Sequence, residues 1–238
     1  LFRSNTKELE ISLEKEKVLG DLKTRFVSMA SHEFRTPLTS ILGSATLIEK
    51  YTKEEDQPKR EQHINRIKSS VSHLTEILEE FLSVGKLEDG KLEIHPTEFS
   101  IQDFIQDILT DFTTYTQPIR LELVEDFRCF QDASILRKVI FNGLSNALKF
   151  SQKEVVLRVL RRDEVVELCI VDQGIGISEE DQKHLFERFF RGGNATVIQG
   201  TGLGLHLVDR YMRLLGGNVQ IKSELNRGTE LCIQFPNR

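Results

Sequence analysis

The sequence lacks a long apolar run, a closely spaced cysteine pair and an excess of basic residues. A helix that crosses a membrane needs roughly 18 or more consecutive apolar residues. No such run occurs, so we expect no membrane contact from this chain. It also begins without the pattern of a secretory signal peptide. We therefore expect a cytoplasmic location, with any membrane anchor lying upstream in a longer parent protein.

The charge balance argues against nucleic acid as the main partner. The chain has 32 Lys and Arg against 37 Asp and Glu, a net charge of −5, whereas a phosphate-binding surface usually shows a basic excess. The cysteines are Cys129, Cys169 and Cys232, and their wide spacing includes no CxxC pair. This spacing predicts neither a zinc site nor a disulfide framework. We expect buried free thiols in a reducing compartment.

The first ninety or so residues have the apolar spacing of a long helical hairpin. Apolar residues alternate at intervals of three and four, the seam of a coiled coil, at Leu19, Leu22, Phe26 and Met29 and again at Ile64, Ile67, Val71, Leu74, Leu78 and Phe81. Polar residues between Tyr51 and Pro58 predict the turn. A lone hairpin cannot bury its apolar face, so we expect two copies to form a dimeric four-helix bundle. Packing of the seam on the chain's own second domain is the alternative.

The pattern changes between Gly85 and Glu98, where we place a domain boundary and, between Gly85 and Gly90, a hinge. Beyond it, strands and helices intermix. Strands are predicted at 120–124, 154–160, 165–171, 218–223 and 229–235, and helices at 100–115, 133–149 and 203–215. The strands do not alternate regularly with helices as in βαβ units, and the helices can cover one face of the sheet. This order favours an α+β two-layer sandwich. The chain is therefore predicted to be multidomain, an all-α hairpin followed by this sandwich.

The first candidate site is the segment SHEFRTPL at 31–38. Continuing the seam places Glu33 and Thr36 near the bundle face and leaves His32 accessible on its flank. An imidazole that titrates near neutrality can be an uncharged nucleophile, and an adjacent carboxylate can orient it or accept its proton. Pro37 removes a backbone donor and predicts a loosened or bent helix one turn past His32. Taken alone, a histidine on a helix surface is usually only a solvated side chain.

The second candidate site lies on the predicted helix 133–149. Asn142 and Asn146 stand four residues apart and so share one helix face. Their amide oxygens suit a hard cation, and Lys149 adds positive charge for phosphates. Solvated polar positions are the alternative interpretation.

Two glycine-rich segments complete the set of candidate sites. Asp172 ends an apolar strand and is followed by Gly174 and Gly176, which let the backbone approach a ligand. A carboxylate there can accept from an exocyclic amine and favours adenine, a plain turn being the alternative. The segment GTGLGL at 200–205 leads into a helix, whose free N–H groups and dipole favour an anion. It is neither a Walker A loop nor a Rossmann fingerprint. Between the two segments, the aromatic and glycine residues of 185–194 suggest an anchor and the start of a mobile lid.

In this order and spacing, the four sites resemble the H, N, glycine-rich and F boxes of sensor histidine kinases, over about residues 20 to 236. The resemblance implies a coiled-coil signalling helix at 1–20, a dimerisation and histidine phosphotransfer domain at 21–88, and a Bergerat-type ATP-binding catalytic domain at 96–238. The implied reaction is transfer of the ATP γ-phosphoryl group to His32, followed by relay to an aspartate of a response regulator receiver domain. Phosphatase activity toward that regulator is left open.

By position, the resemblance assigns a role to each site residue. His32 matches the phosphoacceptor, Glu33 the acidic neighbour that activates it, and Thr36 the residue that helps position water during dephosphorylation. Asn146 matches the Mg²⁺ ligand, and Asp172 matches the adenine-reading carboxylate. The other implied nucleotide contacts are Asn142, Lys149, Phe150, Gly174, Gly176, Arg191, Gly200, Thr201, Gly202, Leu203, Gly204, Leu205 and Thr229.

Two rival functions are discriminated by particular residues. Another ATPase of the same nucleotide-binding superfamily, of the chaperone or mismatch-repair type, is disfavoured by the His32 segment within a dimerising hairpin. A non-catalytic scaffold would be supported by loss of a site residue, and none is lost. Gly143 stands where the family commonly has a large aliphatic residue. The stimulus, the cognate regulator and the choice between phosphorylation within or between subunits stay open.

Overall fold

The computed structural model describes residues 2–90, 92–113, 115–195, 198 and 200–237, and gives only the backbone for residues 2–23, 25 and 26. Two compact units divide the chain, Leu1–Phe81 and Leu82–Arg238. The predicted seam positions Leu19, Leu22 and Phe26 lie outside the residues whose side chains are described. No helix in the described part of the chain is both long enough and apolar enough to cross a bilayer.

The first unit is a helical hairpin. Its helices are α1 (Phe2–Lys50) and α2 (Gln57–Glu88), joined through one turn of 3-10 helix at Glu54–Asp56. The predicted turn is therefore confirmed, with Pro58 in the first turn of α2, where a missing N–H costs no helical hydrogen bond. Pro37 lies inside α1, and the helix continues past it.

The last two turns of α2 belong to the second unit. The Ser83 side chain hydrogen-bonds the Tyr211 side chain, and Glu88 forms an ion pair with Arg188. Gly85 lies within the helix, whereas Gly90 follows it with a φ of 62°. The hinge between these two glycines stays a prediction.

The second unit is a mixed sheet covered by helices. Its elements are β1 (Thr97–Ser100), α3 (Ile101–Thr110), β2 (Ile119–Leu123), β3 (Arg128–Gln131), α4 (Ala133–Phe150), β4 (Val155–Arg162), β5 (Val165–Val171), α5 (Glu179–Gln182), α6 (Gly204–Leu214), β6 (Asn218–Glu224) and β7 (Gly228–Pro236). The main sheet has the order β2-β4-β5-β7-β6, parallel between β2 and β4 and antiparallel elsewhere. A separate ladder pairs β1 with β3. The predicted α+β sandwich is confirmed.

The helices pack on one face of the sheet. On β5, Val166, Leu168 and Ile170 alternate toward the core and are buried. Gly143 brings α4 close to this face, because a Cβ there would lie 2.5 Å from Ile170 Cδ1 and 3.0 Å from Leu231 Cδ2. The glycine that departs from the family pattern therefore allows tight packing of the helix that carries Asn142 and Asn146.

Asp132 fixes where α4 begins. Its Oδ1 accepts from the N–H groups of Ser134 and Ile135, both at 3.0 Å, and its Oδ2 accepts from the His95 N–H at 2.8 Å. The first two bonds satisfy donors that a helix start would otherwise leave unpaired, and the third ties this start to the chain at His95.

The expectation of three free thiols is wrong for two of them. β5 and β7 place Cys169 directly opposite Cys232, and the two form a disulfide. Cys129 is free and buried, and burial raises the pKa of its thiol to about 12. The pairing was missed because 63 positions separate the two cysteines, and only the strand register brings them together.

Candidate functional site

His32 and Glu33 differ sharply in exposure although they are neighbours on α1. The His32 side chain is 74% exposed, and that of Glu33 is 2% exposed. His32 Nδ1 lies 3.4 Å from Glu33 Oε1. A carboxylate at this position favours the tautomer with the proton on Nδ1, which leaves the lone pair of Nε2 available. The pair can therefore present a neutral, accessible nitrogen nucleophile.

The second carboxylate oxygen of Glu33 is buried. Within the described residues, this oxygen, Oε2, makes no hydrogen bond. Thr36, one helical turn beyond His32, is exposed, and its hydroxyl lies 3.4 Å from the His32 carbonyl oxygen. These three residues belong to the first unit.

The polar face of α4 lies beside the glycine-rich segment 200–205. A Cβ at Gly204 would lie 3.0 Å from Asn142 Oδ1 and 3.7 Å from Asn146 Nδ2. The Asn142 amide nitrogen donates to the Lys138 carbonyl at 2.9 Å, so its oxygen remains the acceptor that can face a ligand.

The last turn of α4 reaches the start of the same segment. A Cβ at Gly200 would lie 2.7 Å from Lys149 Nζ, and this ammonium is 5.5 Å from the centre of the Phe150 ring. The glycine-rich segment thus has a cation near one end and two amides near the other.

The glycine-rich segment ends at an open helix N-terminus. α6 follows Leu203, and no side chain of the described residues caps this helix through its N-cap position. The buried Thr201 accepts the Leu203 N–H at 3.2 Å and holds the turn before the helix. The N–H groups of the first turn, which includes Gly204 and Leu205, remain for a negatively charged ligand.

Asp172 is buried at the end of β5. Its Oδ1 accepts from the Gly174 N–H at 2.7 Å, and its side chain also accepts from the Thr229 N–H. Burial raises the pKa of Asp172, although these two hydrogen bonds act to lower it. Asp172 is 8% exposed, so a group that reaches its carboxylate is largely shielded from water.

A hydrogen-bond network that the sequence did not reveal supports Asp172 and Thr229. The Thr229 hydroxyl lies 2.8 Å from Ser223 Oγ, which donates to the Gly228 carbonyl and accepts from the Ile177 N–H. The Gln182 amide donates to the carbonyls of Ile177 and Ser223, both at 3.0 Å. Only the pairing of β6 with β7, which sets Ser223 opposite Thr229, would have pointed to this network.

Two further contacts connect the loops around Asp172. The Ile175 N–H donates to the Phe150 carbonyl at 3.3 Å, which joins the Gly174–Gly176 turn to the end of α4. The Asn194 amide donates to the Gly176 carbonyl at 2.8 Å. The sequence pattern does not predict the Asn194 contact.

Arg191 lies against the predicted lid. Its guanidinium donates to the carbonyls of Ile198 at 2.6 Å and Ala195 at 3.1 Å. The Phe189 N–H donates to the Gly202 carbonyl at 3.1 Å, so the aromatic segment is fastened to the glycine-rich segment. Part of the predicted lid, at Thr196, Val197 and Gln199, lies outside the described residues.

Two family models match the chain in succession. The model described as His Kinase A (phospho-acceptor) domain matches residues 22–90. The model described as Histidine kinase-, DNA gyrase B-, and HSP90-like ATPase matches residues 131–238. The first includes His32, and the second includes Asn146 and Asp172.

A curated relative covers nearly the whole chain. The sensor protein GacS of Pseudomonas syringae pv. syringae is 32% identical over 96% of this chain, which is 26% of that protein. The chain thus spans about a quarter of the length of this relative.

Two solved structures share the architecture. ShkA in complex with AMPPNP is 26% identical, with a TM-score of 0.64 over 87% of this chain and 44% of that one. Histidine kinase ThkA in complex with response regulator protein TrrA is 21% identical, with a TM-score of 0.64 over 94% of this chain and 64% of that one. The second likeness shows the fold alone.

Proposed function

The chain belongs to the sensor histidine kinases of two-component systems, and we propose that it uses ATP to phosphorylate its own His32 and then passes the phosphoryl group to an aspartate of a response regulator. The observation that carries the assignment of His32 is its exposure beside the buried Glu33. The ring is thus accessible both to the γ-phosphorus of ATP and, once phosphorylated, to the aspartate that receives the phosphoryl group.

The second unit has the chemistry for binding ATP as the substrate. The buried Asp172 carboxylate offers an acceptor for the exocyclic amine of adenine, and Thr229 supports it through a backbone hydrogen bond. The open N-terminus of α6 and the Lys149 ammonium suit the phosphates. The similar chain ShkA was solved with the ATP analogue AMPPNP.

Asn146 would hold a Mg²⁺ ion, and Asn142, on the same face of α4, would lie beside it near the phosphates. The Asn142 amide nitrogen donates to the Lys138 carbonyl, and the Asn142 amide oxygen lies toward Gly204. An amide oxygen therefore borders the glycine-rich segment, and oxygen is the ligand atom that a hard cation requires. When bound, Mg²⁺ supplies positive charge that offsets the negative charge of the phosphates.

In the phosphotransfer step, His32 Nε2 attacks the γ-phosphorus of ATP. A bond forms between nitrogen and phosphorus, the bond to the β–γ bridging oxygen breaks, and ADP leaves. Glu33 holds the proton on Nδ1 and stabilises the positive charge that develops on the ring. Positioning and charge neutralisation do most of the work in such reactions.

The phosphorylated His32 is then the donor for a receiver aspartate. Its exposure leaves space for a second protein, and the fold is shared with ThkA, which was solved with a response regulator. Thr36, exposed one turn further along α1, would help to position water for dephosphorylation of the regulator.

The apolar surface of the hairpin supports a dimer, as does the match to the phosphoacceptor domain. Ile64, Val71 and Leu78 recur every seven residues along α2 and are 41–50% exposed in the single chain. Ile77 is buried within the hairpin, so the heptad stripe is a separate apolar surface. A second copy would cover it in a four-helix bundle, with residues 1–20 continuing as the signalling helix.

Incubation of the purified chain with γ-labelled ATP and Mg²⁺ tests the proposal. The chain should take up label that is lost in acid and retained in alkali, because a phosphoryl group on an imidazole nitrogen has this stability. Label that survives acid, or no uptake by a chain that binds ATP, would contradict the proposal.

A further inference from the structure

Cys169 and Cys232 lie on the face of the sheet opposite the helices. On β5, the buried Val166, Leu168 and Ile170 point toward the core. Successive side chains of a strand point to opposite faces, so Cys169 points away from the helices, and its partner on β7 does the same.

The strand register makes the two sulfur atoms natural partners. The Asp172 N–H donates to the Thr229 carbonyl at 2.9 Å, so these opposite residues form a hydrogen-bonded pair. Such pairs alternate along an antiparallel ladder, and Cys169–Cys232 lies three positions away, which makes it a non-hydrogen-bonded pair. Side chains are closest at these positions, and the two Cα atoms are 4.1 Å apart. The S–S bond can therefore form and break without a change of register.

A groove on the outer face gives small reagents access to the sulfur atoms. It has a volume of about 280 Å³, and its charged lining consists of three cationic side chains, Arg158, Arg162 and Lys222, and two carboxylates, Glu167 and Glu230. Glu230 pairs with Arg158 and Glu167 with Arg162, so the lining keeps a net positive charge, which attracts reagents that carry carboxylates. Cys232 is partly exposed and Cys169 is only 4% exposed, so Cys232 is reached first.

We propose that Cys169 and Cys232 form a reversible thiol–disulfide site that exchanges with small disulfides and thiols of the glutathione class. In oxidation, the Cys232 thiolate attacks one sulfur of the external disulfide, forms a mixed disulfide and releases one small thiolate. The Cys169 thiolate then attacks the Cys232 sulfur and releases the second. Two electrons pass to the external disulfide, and the two cysteine protons end on the released thiols. Reduction by the small thiol is the reverse.

The disulfide closes the part of the chain that contains most of the predicted nucleotide contacts. Asp172, Arg191, the glycine-rich segment 200–205 and Thr229 all lie between the two cysteines, which are 63 positions apart. A crosslink over such a loop restricts the unfolded chain and so stabilises the folded unit. The redox state of the site therefore sets the stability of the second unit, independently of phosphotransfer.

Thiol counting in glutathione buffers tests the site directly. The whole chain is equilibrated in buffers whose ratio of reduced to oxidised glutathione is varied. Each sample is quenched in acid, unfolded and treated with N-ethylmaleimide, and the number of adducts is measured by mass spectrometry. The wild-type chain should carry three adducts in the most reducing buffer and one, at Cys129, in the most oxidising buffer. The Cys129→Ala variant should carry two adducts in the first buffer and none in the second. Three adducts at every ratio would overturn the proposal, and so would one adduct at every ratio, since that disulfide would not exchange.

Thermal unfolding of the same samples tests the consequence. The second unit should unfold about 5–10 °C higher in the oxidised than in the reduced wild-type chain. Cys232→Ser should unfold at one temperature in both buffers, close to that of the reduced wild type. Equal unfolding temperatures for the two wild-type forms would contradict the stabilising role, whatever the folding of the variant.

Discussion

At the scale of single residues, the second unit holds a carboxylate in an unfavourable place. Asp172 is buried, and burial raises its pKa, yet two backbone N–H groups bind its ionised form. A fold that keeps a partly desolvated carboxylate here is arranged for a ligand that can donate to it. The exocyclic amine of adenine is such a donor.

Substitution of this carboxylate tests adenine reading. Asp172→Asn should weaken ATP binding roughly 5- to 150-fold, because an acceptor is replaced by a group that can present a donor to the adenine amine. Titration calorimetry measures the change. The exposed Asp103 on α3 provides the matched control, and Asp103→Asn should bind ATP like the wild type. Unchanged affinity in Asp172→Asn would rule out Asp172 as the adenine reader.

The raised pKa of Asp172 also predicts a pH dependence of ATP binding. Protonation removes the negative acceptor, so affinity should fall as the pH drops through a range above that of an ordinary aspartate. The Asp172→Asn variant should lack this component of the dependence. Calorimetry measures the ATP affinity of both chains against pH. If the affinity of the wild type and that of Asp172→Asn fell in parallel, the assignment of Asp172 as the adenine reader would be wrong.

At the scale of elements, His206 connects the first turn of α6 to the aromatic segment 185–191. Its Nδ1 lies 2.8 Å from the Phe186 carbonyl oxygen and donates to it, and its Nε2 accepts from Arg188 Nε at 3.3 Å. The second contact requires the neutral ring, because a protonated Nε2 can no longer accept. Burial lowers the pKa of His206, with a further contribution from the cationic Arg188. The helix whose N-terminus faces the predicted phosphate site is therefore fastened by an uncharged histidine.

Acid should weaken this connection selectively. The folded-state pKa of His206 lies below the unfolded value, so the unfolded chain takes up the proton first, and stability falls as the pH drops below about 6.5. His206→Gln should lose less stability over the same interval, whereas the control variant His184→Gln, at an exposed site, should behave like the wild type. Urea unfolding at several pH values measures this. A loss in His206→Gln equal to that of the wild type would contradict it.

The elements also show what a sequence pattern can and cannot predict. β5 was predicted at 165–171 and occupies Val165–Val171, because a short run between polar turns that is apolar at every position except Glu167 admits few alternatives. β3 (Arg128–Gln131) was missed, because four residues of mixed polarity carry little periodicity. The disulfide and the Ser223 network depend on strand register, which is a long-range property that spacing along the chain does not encode.

At the scale of the whole molecule, the proposed dimer should form where the stripe at Ile64, Val71 and Leu78 of one chain meets that of a second chain. Val71→Glu should give monomers by light scattering, since burying an unpaired carboxylate costs several kcal/mol. Val71 is exposed in the single chain, so both units should stay folded. The control Ser72→Glu lies about 100° round the helix at an exposed position and should stay dimeric. A wild-type chain that is monomeric at micromolar concentration would contradict the proposed dimer.

The central claim is that His32 accepts the γ-phosphoryl group of ATP. The hairpin offers a matched control in His73, which also has a carboxylate neighbour, with Nδ1 3.6 Å from Glu76 Oε2. With γ-labelled ATP, His32→Gln should take up no acid-labile phosphate yet bind ATP as tightly as the wild type, whereas His73→Gln should be labelled normally. Labelling of His32→Gln at the wild-type rate would contradict the account.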